Sequence, residues 1–320
     1  MSARRFGVTI LVTMLMWDLS TAAHSYGLGG FCGAGVPCDC GDELVASRTL
    51  VSGVDPITVT PCPGHGLLIE SSALTLDLGD NTISATAGRG GIGIILNDVS
   101  GTTVTGGTIA GFGIGIQARL ANRSRFSALR ILGGDAGIVG LGDDNTIERT
   151  VFRRLGEAIS FTGAGPHILS NRIEDCAFGV WVTINPVDDS GAHGSSVIAR
   201  NVILRSGGPS PIGGGLTVFG DAVVIDHNQV TRSSGHGLVL SGTGHRITRN
   251  VAHGNGGHGF SSRGLSGSTF DGNRAQANEL FGMEDDSVGD GTSGTANTYT
   301  IHNLCTANDL GDSAPPRLCF

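Results

Sequence analysis

The chain has 320 residues, a formal net charge of -8, 54 glycines and only 5% aromatic residues. So many glycines and so few large side chains exclude an ordinary compact α/β enzyme, and 39% hydrophobic residues exclude a disordered chain. All 20 basic residues are arginine, and the mild acid excess argues against a nucleic-acid backbone as partner.

In chain order, Arg4 and Arg5 precede the apolar run 6–17 and the small residues Thr21, Ala22 and Ala23. This order predicts a signal peptide over 1–23. The run is too short for a membrane span, which needs about 20 residues, and no later segment qualifies, so the product is expected to be secreted or periplasmic. Residues 24–64 read as a Cys-rich N-terminal cap holding Cys32, Cys38, Cys40 and Cys62. Their number fits an oxidising compartment, but spacing alone leaves the pairing open. Cys38 and Cys40 stand too close for the usual zinc spacing. Cys305 and Cys319 are expected to pair and close a C-terminal tail, 306–320, which leaves Cys176 as a buried free thiol.

Between 65 and 305 an apolar-x-x-Asn-x-apolar pattern recurs. It carries Asn81, Asn171, Asn201, Asn228, Asn250, Asn273 and a frayed last copy at Asn303, while three further copies keep the frame with Gly107, Leu129 and Thr150. The shortest intervals are 21 to 23 residues, one coil each. A small residue followed by apolar-x-apolar comes after each anchor, as in Gly137-Ile138-Val139 and Gly237-Leu238-Val239-Leu240. Alternation at period two means strands. Coils of this length with two or three short strands predict an all-β, single-stranded right-handed parallel β-helix of about ten coils. Stacked at about 4.8 Å, they make a rod of roughly 43 Å, expected to be monomeric. The asparagines are expected to form a structural ladder of stacked amides, not a catalytic row.

The departures from the coil length locate a candidate face. Insertions at about 185–195, 206–214 and 287–296 all flank the strand of the second signal, and loops gathered on one face of a solenoid build binding surfaces. Alternation makes Ser160, Trp181, Thr217, Val239, Ser261 and Glu284 the outward residues of that strand in successive coils. Trp181 offers a stacking platform for a sugar ring. His236 and His258 open the strand in adjacent coils and, with Arg263, are the candidate catalytic groups. Arg232 is expected near the same rim as Arg263, where a guanidinium can hold a carboxylate. Asp188 and Asp189, together with Glu284, complete the candidate binding set. Either acid cluster offers oxygen ligands for Ca2+, although no firm metal site is defined. Glu157 stands alone.

The repeat resembles the parallel β-helix repeat family of the pectate-lyase-like group over about residues 65 to 305. The fragment Ile225-Asp226-His227-Asn228 looks like the Asp-His stretch of pectate lyases, but here it occupies the repeat frame. The resemblance implies the fold and leaves the activity open among polysaccharide lyases, epimerases, hydrolases and non-catalytic scaffolds. The expectation is a protein that binds or acts on an acidic polysaccharide along one face. The alternative is an extracellular or periplasmic structural or binding scaffold without chemistry.

Overall fold

A computed structural model describes residues 29–86, 90–185, 194–208 and 213–320. The predicted signal segment, Asp188 and Asp189 lie outside the described residues. The chain winds as a parallel β-helix with three faces. The first is an 11-stranded ladder that includes His167–Leu169, Val197–Ala199 and Val224–Asp226. The second face holds short strands such as Arg172–Glu174 and Val202–Leu204. The third holds the longer strands, among them Phe178–Ile184, Gly214–Phe219 and His236–Thr243. The strands Arg130–Leu141 and Val151–Gly163 turn the corner and run through both the second and third faces. Every paired strand in the ladders is parallel to its neighbour in the next coil, as the repeat requires.

The apolar residues of the repeat fill the interior. Ile168, Ile173, Val180 and Val182 come from one coil, and all are buried with their counterparts above and below. The small residue that opens each long strand has a steric cause. A Cβ at Gly179 would lie 2.1 Å from the carbonyl oxygen of Gly215, and one at Gly237 would lie 2.5 Å from that of Gly259. Neighbouring coils therefore approach at this corner more closely than a side chain permits.

Two of the corners are held by rows of polar side chains. At the corner between the first and second faces, Asn171, Asn201, Asn228, Asn250, Asn273 and Asn303 are stacked in consecutive coils. In each step the Oδ1 of the later Asn accepts both the backbone N–H and the side-chain Nδ2 of the earlier one, at 2.9 to 3.1 Å. Each Nδ2 also donates to a carbonyl of the preceding coil, as Asn201 does to Ile168. Asn81 stands apart from this row, because the next coil carries Gly107 there; its Nδ2 donates to the carbonyls of Leu50 and Leu78. The residue before each of Asn171, Asn201, Asn228, Asn250 and Asn273 takes the left-handed conformation, including His227 with φ 53°. This turn geometry accounts for the Asp226-His227 fragment.

A second row at the corner between the second and third faces runs Cys176, Ser206, Ser233, Asn255, Asn278 and Asn308. Cys176 is free and buried, and it occupies a ladder position. The disulfides are Cys32–Cys38, Cys40–Cys62 and Cys305–Cys319. The helical pairing starts before residue 65, with Glu43–Leu44 on Leu67–Ile69, and continues past 305, with Gly311–Ala314 on Phe281–Asp285. Cap and tail are thus stacked onto the rod.

Candidate functional site

The third face carries the predicted outward row in register: Ser160 pairs with Trp181, Trp181 with Thr217, Thr217 with Val239, Val239 with Ser261 and Ser261 with Glu284. The row is not open along its length. Thr217, Val239 and Ser261 are 1%, 2% and 0% exposed, whereas Ser160, Trp181 and Glu284 are half-buried. Outward orientation sets where a side chain points but not what lies over it. Here Gly214, at the end of the second insertion, comes so close that a Cβ on it would meet Val239 Cγ2 at 3.1 Å. Accessible chemistry is therefore confined to two ends of the row.

At one end stand Glu157, Ser160 and Trp181. Trp181 packs against Phe219 with ring centroids 5.2 Å apart and an interplanar angle of 45°. The neighbour props the indole on one side, while alternation directs it away from the core. Glu157 lies three residues before Ser160 on the Val151–Gly163 strand, one coil before Trp181. Burial pushes its carboxyl above the ordinary carboxylate range, and a hydrogen bond from Ser160 opposes the shift. Glu157 stands alone in the sequence, and only the corner that half-buries it gives it this environment.

At the other end Ser261 Oγ donates to Glu284 Oε2 at 2.9 Å. Burial raises the Glu284 carboxyl; the Ser261 hydrogen bond and the Arg263 charge oppose this, while Asp286 and Asp285 add to it. Asp285 points inward, where its Oδ2 accepts from Tyr299 Oη and Asn297 Nδ2, both at 2.9 Å. Asp286 is exposed.

The two histidines are placed differently from an open acid–base pair. His236 and His258 are 5% and 8% exposed, and their rings are stacked with Phe281 continuing the pile. Nδ1 of His236 accepts the backbone N–H of His258 at 2.9 Å, and Nδ1 of His258 accepts that of Phe281 at 3.2 Å. Both rings therefore act as backbone acceptors between coils, which commits Nδ1 to the unprotonated state. Burial, aided by the charges of His236 and Arg263, lowers His258 to about 4. Arg232 sits at the corner before the His236–Thr243 strand with φ 58°, and Arg263 lies two residues past Ser261, in the middle of the Phe260–Ser266 strand of the next coil. Among the described residues no group of three or more His, Cys, Asp or Glu is arranged to hold a metal ion, and no helix is long and apolar enough to cross a membrane.

A feature that the sequence reading missed lies around the corner, on the second face. Arg130, Arg153, Arg154 and Arg172 line a cleft of about 460 Å³ together with Leu132, Gly133, Val151 and Glu174. The arginines come from three coils and are separated by some 20 residues per coil, so no local motif marks them.

Among solved structures, the catalytic domain of a GH87 alpha-1,3-glucanase in complex with nigerose matches with a TM-score of 0.50 and 13% identity, covering 91% of this chain and 62% of that one. The Dettilon tailspike protein matches with a TM-score of 0.49 and 14% identity, over 88% of this chain and 59% of that one. The catalytic unit of a GH87 alpha-1,3-glucanase from Streptomyces thermodiastaticus gives 0.48 and 14%, over 78% and 62% respectively. The chain thus spans about three fifths of the length of these proteins, and at such identities the likeness is one of fold. No curated protein matches the sequence. The model of the right-handed β-helix region matches residues 51–186 and 187–309. This is broader than a pectate-lyase-like group, and on it the chain belongs to the right-handed β-helix family.

Proposed function

We propose that the protein is an exported carbohydrate-binding β-helix whose sugar contact is the Trp181 end of the third face. The observation that carries this reading is the grouping of a half-buried Trp181, backed by Phe219, with Ser160 and Glu157 one coil away. An indole face packs against the apolar C–H face of a sugar ring, and the adjacent hydroxyl and carboxyl supply directional hydrogen bonds. The carboxyls on this face favour a neutral sugar there more than an acidic one, because a uronate would meet Glu157 with like charge whenever both are ionised. Three disulfides accord with export to an oxidising compartment. The glucanase domain with nigerose shares the fold, and the fold alone names no substrate.

The test is calorimetric titration of the mature protein with neutral and acidic oligosaccharides. Binding of a neutral oligosaccharide that is lost in Trp181→Ala, with the variant still folded, supports the reading. Equal binding by wild type and Trp181→Ala, or no binding of any sugar, removes it.

Glycoside hydrolysis at the Glu284 end is the second reading, favoured by the raised Glu284 carboxyl beside an exposed Asp286. Asp286 follows the end of the Phe281–Asp285 strand, two residues after Glu284, so the two Cα atoms are at most roughly 7 Å apart, a scale on which one carboxyl can act as acid and the other as base or nucleophile. Glu157 is five rungs from Glu284, roughly 24 Å, and cannot partner it. Release of new reducing ends that is lost in both Glu284→Gln and Asp286→Asn supports this chemistry; no release by the wild type rules it out. No observation favours β-elimination, since both histidines are held as buried backbone acceptors.

A further inference from the structure

We propose that the arginine-lined cleft on the second face is a binding site for an anionic glycan, one that carries carboxylate or sulfate-ester groups. The inference concerns a different face from Trp181 and holds whether or not that residue binds sugar.

The cleft is built by register. Arg130, Val151 and Arg172 stack in one outward column, and Leu132, Arg153 and Glu174 stack in the next. Arg154 follows at the corner with φ 58°. Successive coils are about 4.8 Å apart, so Arg130 and Arg172 stand roughly 10 Å apart along the rod with Arg153 between them in the neighbouring column. Leu132 and Val151 give the cleft an apolar floor. Gly133 at the corner, with φ +68°, has nothing within 4 Å of where a Cβ would be, which leaves that side open.

The charge balance is what points to a ligand. Four arginines against one carboxylate among the lining residues leave an excess of three positive charges, on a chain whose net charge is -8. Some arginines outside the cleft meet acids closely, as Arg48 does with Asp55, Arg249 with Asp226 and Arg205 with Asp175. Others, such as Arg200 and Arg246, stand singly among the described residues, whereas the cleft gathers several in one place. In the cleft, Arg172 takes Glu174. Arg153 reaches Glu174 and Asp175 only at 3.8 and 3.9 Å, and Asp175 already belongs to Arg205 through bonds of 2.6 and 3.1 Å. Arg130 and Arg154 make no ion pair among the described residues. Like charges held on stacked coils repel one another, and a bound anion would relieve that repulsion.

Guanidinium groups bind planar carboxylates and tetrahedral oxyanions bidentately. Repeated anions along a sugar chain match repeated arginines along the rod, and the apolar floor suits the C–H face of a ring. A single-stranded nucleic acid would draw on aromatic stacking, and the lining contains no aromatic side chain.

The test titrates the mature protein at low salt with a short uronate oligomer, a sulfated oligosaccharide, a neutral oligosaccharide of equal length and a single-stranded oligonucleotide. The expected result is binding of one or both anionic sugars and not of the neutral one. Affinity should fall about tenfold or more in Arg130→Gln/Arg172→Gln, and should weaken as salt screens the charges. The tighter of the two anionic arms identifies carboxylate or sulfate as the recognised group. Should the double variant misfold, Arg130→Gln alone removes no ion pair and carries the same test with a smaller drop. Trp181→Ala is expected to leave this binding intact, so loss of the third-face reading and loss of this one are read separately. Failure of both anionic sugars to bind, equal affinity in wild type and the arginine variants, or tighter binding of the oligonucleotide would overturn the proposal.

Discussion

The imidazoles of His236 and His258 lie parallel, with centroids 5.1 Å apart, and Nδ1 of the first accepts the backbone N–H of the second. Protonation of that nitrogen destroys the acceptor and places charge in a buried stack. His258 is lowered from the ordinary imidazole value of about 6.5 to about 4, chiefly by burial and secondarily by the charges of His236 and Arg263. A His whose folded pKa is depressed is neutral in the native state while the unfolded chain binds the proton. Its contribution is complete above the unfolded pKa and is lost as pH falls from about 6.5 to about 4. At about 1.4 kcal/mol per pKa unit the loss is roughly 3 kcal/mol. Thermal unfolding between these pH values should show this decline, and His258→Asn should flatten it. An unchanged slope in the variant would place the acid sensitivity elsewhere.

In the principal ladder, Asn201 Oδ1 accepts two hydrogen bonds from Asn171, and Asn201 Nδ2 donates to Ile168 and to the next Asn. Asn201→Ala leaves the donors of Asn171 unmet in a buried corner and frees the Ile168 carbonyl. The expected cost is about 1–3 kcal/mol or somewhat more, measured by urea unfolding. Asn81→Ala should cost less, because Asn81 is only partly buried and its Nδ2 donates to backbone carbonyls without serving a stacked amide.

Cys176 takes a ladder position that the following coils fill with Ser206 and Ser233. Burial raises its thiol pKa, with hydrogen bonds opposing, so little reactive thiolate forms near neutral pH. Alkylating reagents should label no thiol in the native protein within minutes and one on unfolding without reductant. Cys176→Ser should fold, since serine is the residue used by the coils beyond it. Rapid native labelling would contradict the buried placement.

The rod was legible in the sequence because every coil repeats one spatial problem: apolar residues inward, a tight turn, and a glycine where coils crowd. The outward row from Ser160 to Glu284 was readable for the same reason, since period two and coil length together set the register. The second ladder was hidden because Cys176, Ser206, Ser233 and Asn255 fill one position of the coil with three residue types. The cover over Thr217 and Val239 was hidden because parity reports direction and not neighbours. The arginine cleft was hidden because its members adjoin only after the chain has wound through three coils.

Glu157 gives the Trp181 site a pH signature that a bare stacking platform lacks. Its carboxyl is raised by burial, so the folded protein keeps the proton to a higher pH than the unfolded chain does. A protonated carboxyl donates a hydrogen bond to a sugar oxygen, whereas the ionised form only accepts. Sugar binding that uses this donor should be strongest below the raised pKa and weaken as pH climbs through it. Glu157→Gln supplies an amide donor at every pH, so it should bind with a flat profile, while Trp181→Ala should lose affinity throughout. Affinities of the three proteins for one neutral oligosaccharide across the mildly acidic to neutral range decide the matter. A wild-type profile as flat as that of Glu157→Gln would leave Trp181 as the recognition element and remove Glu157 from the contact.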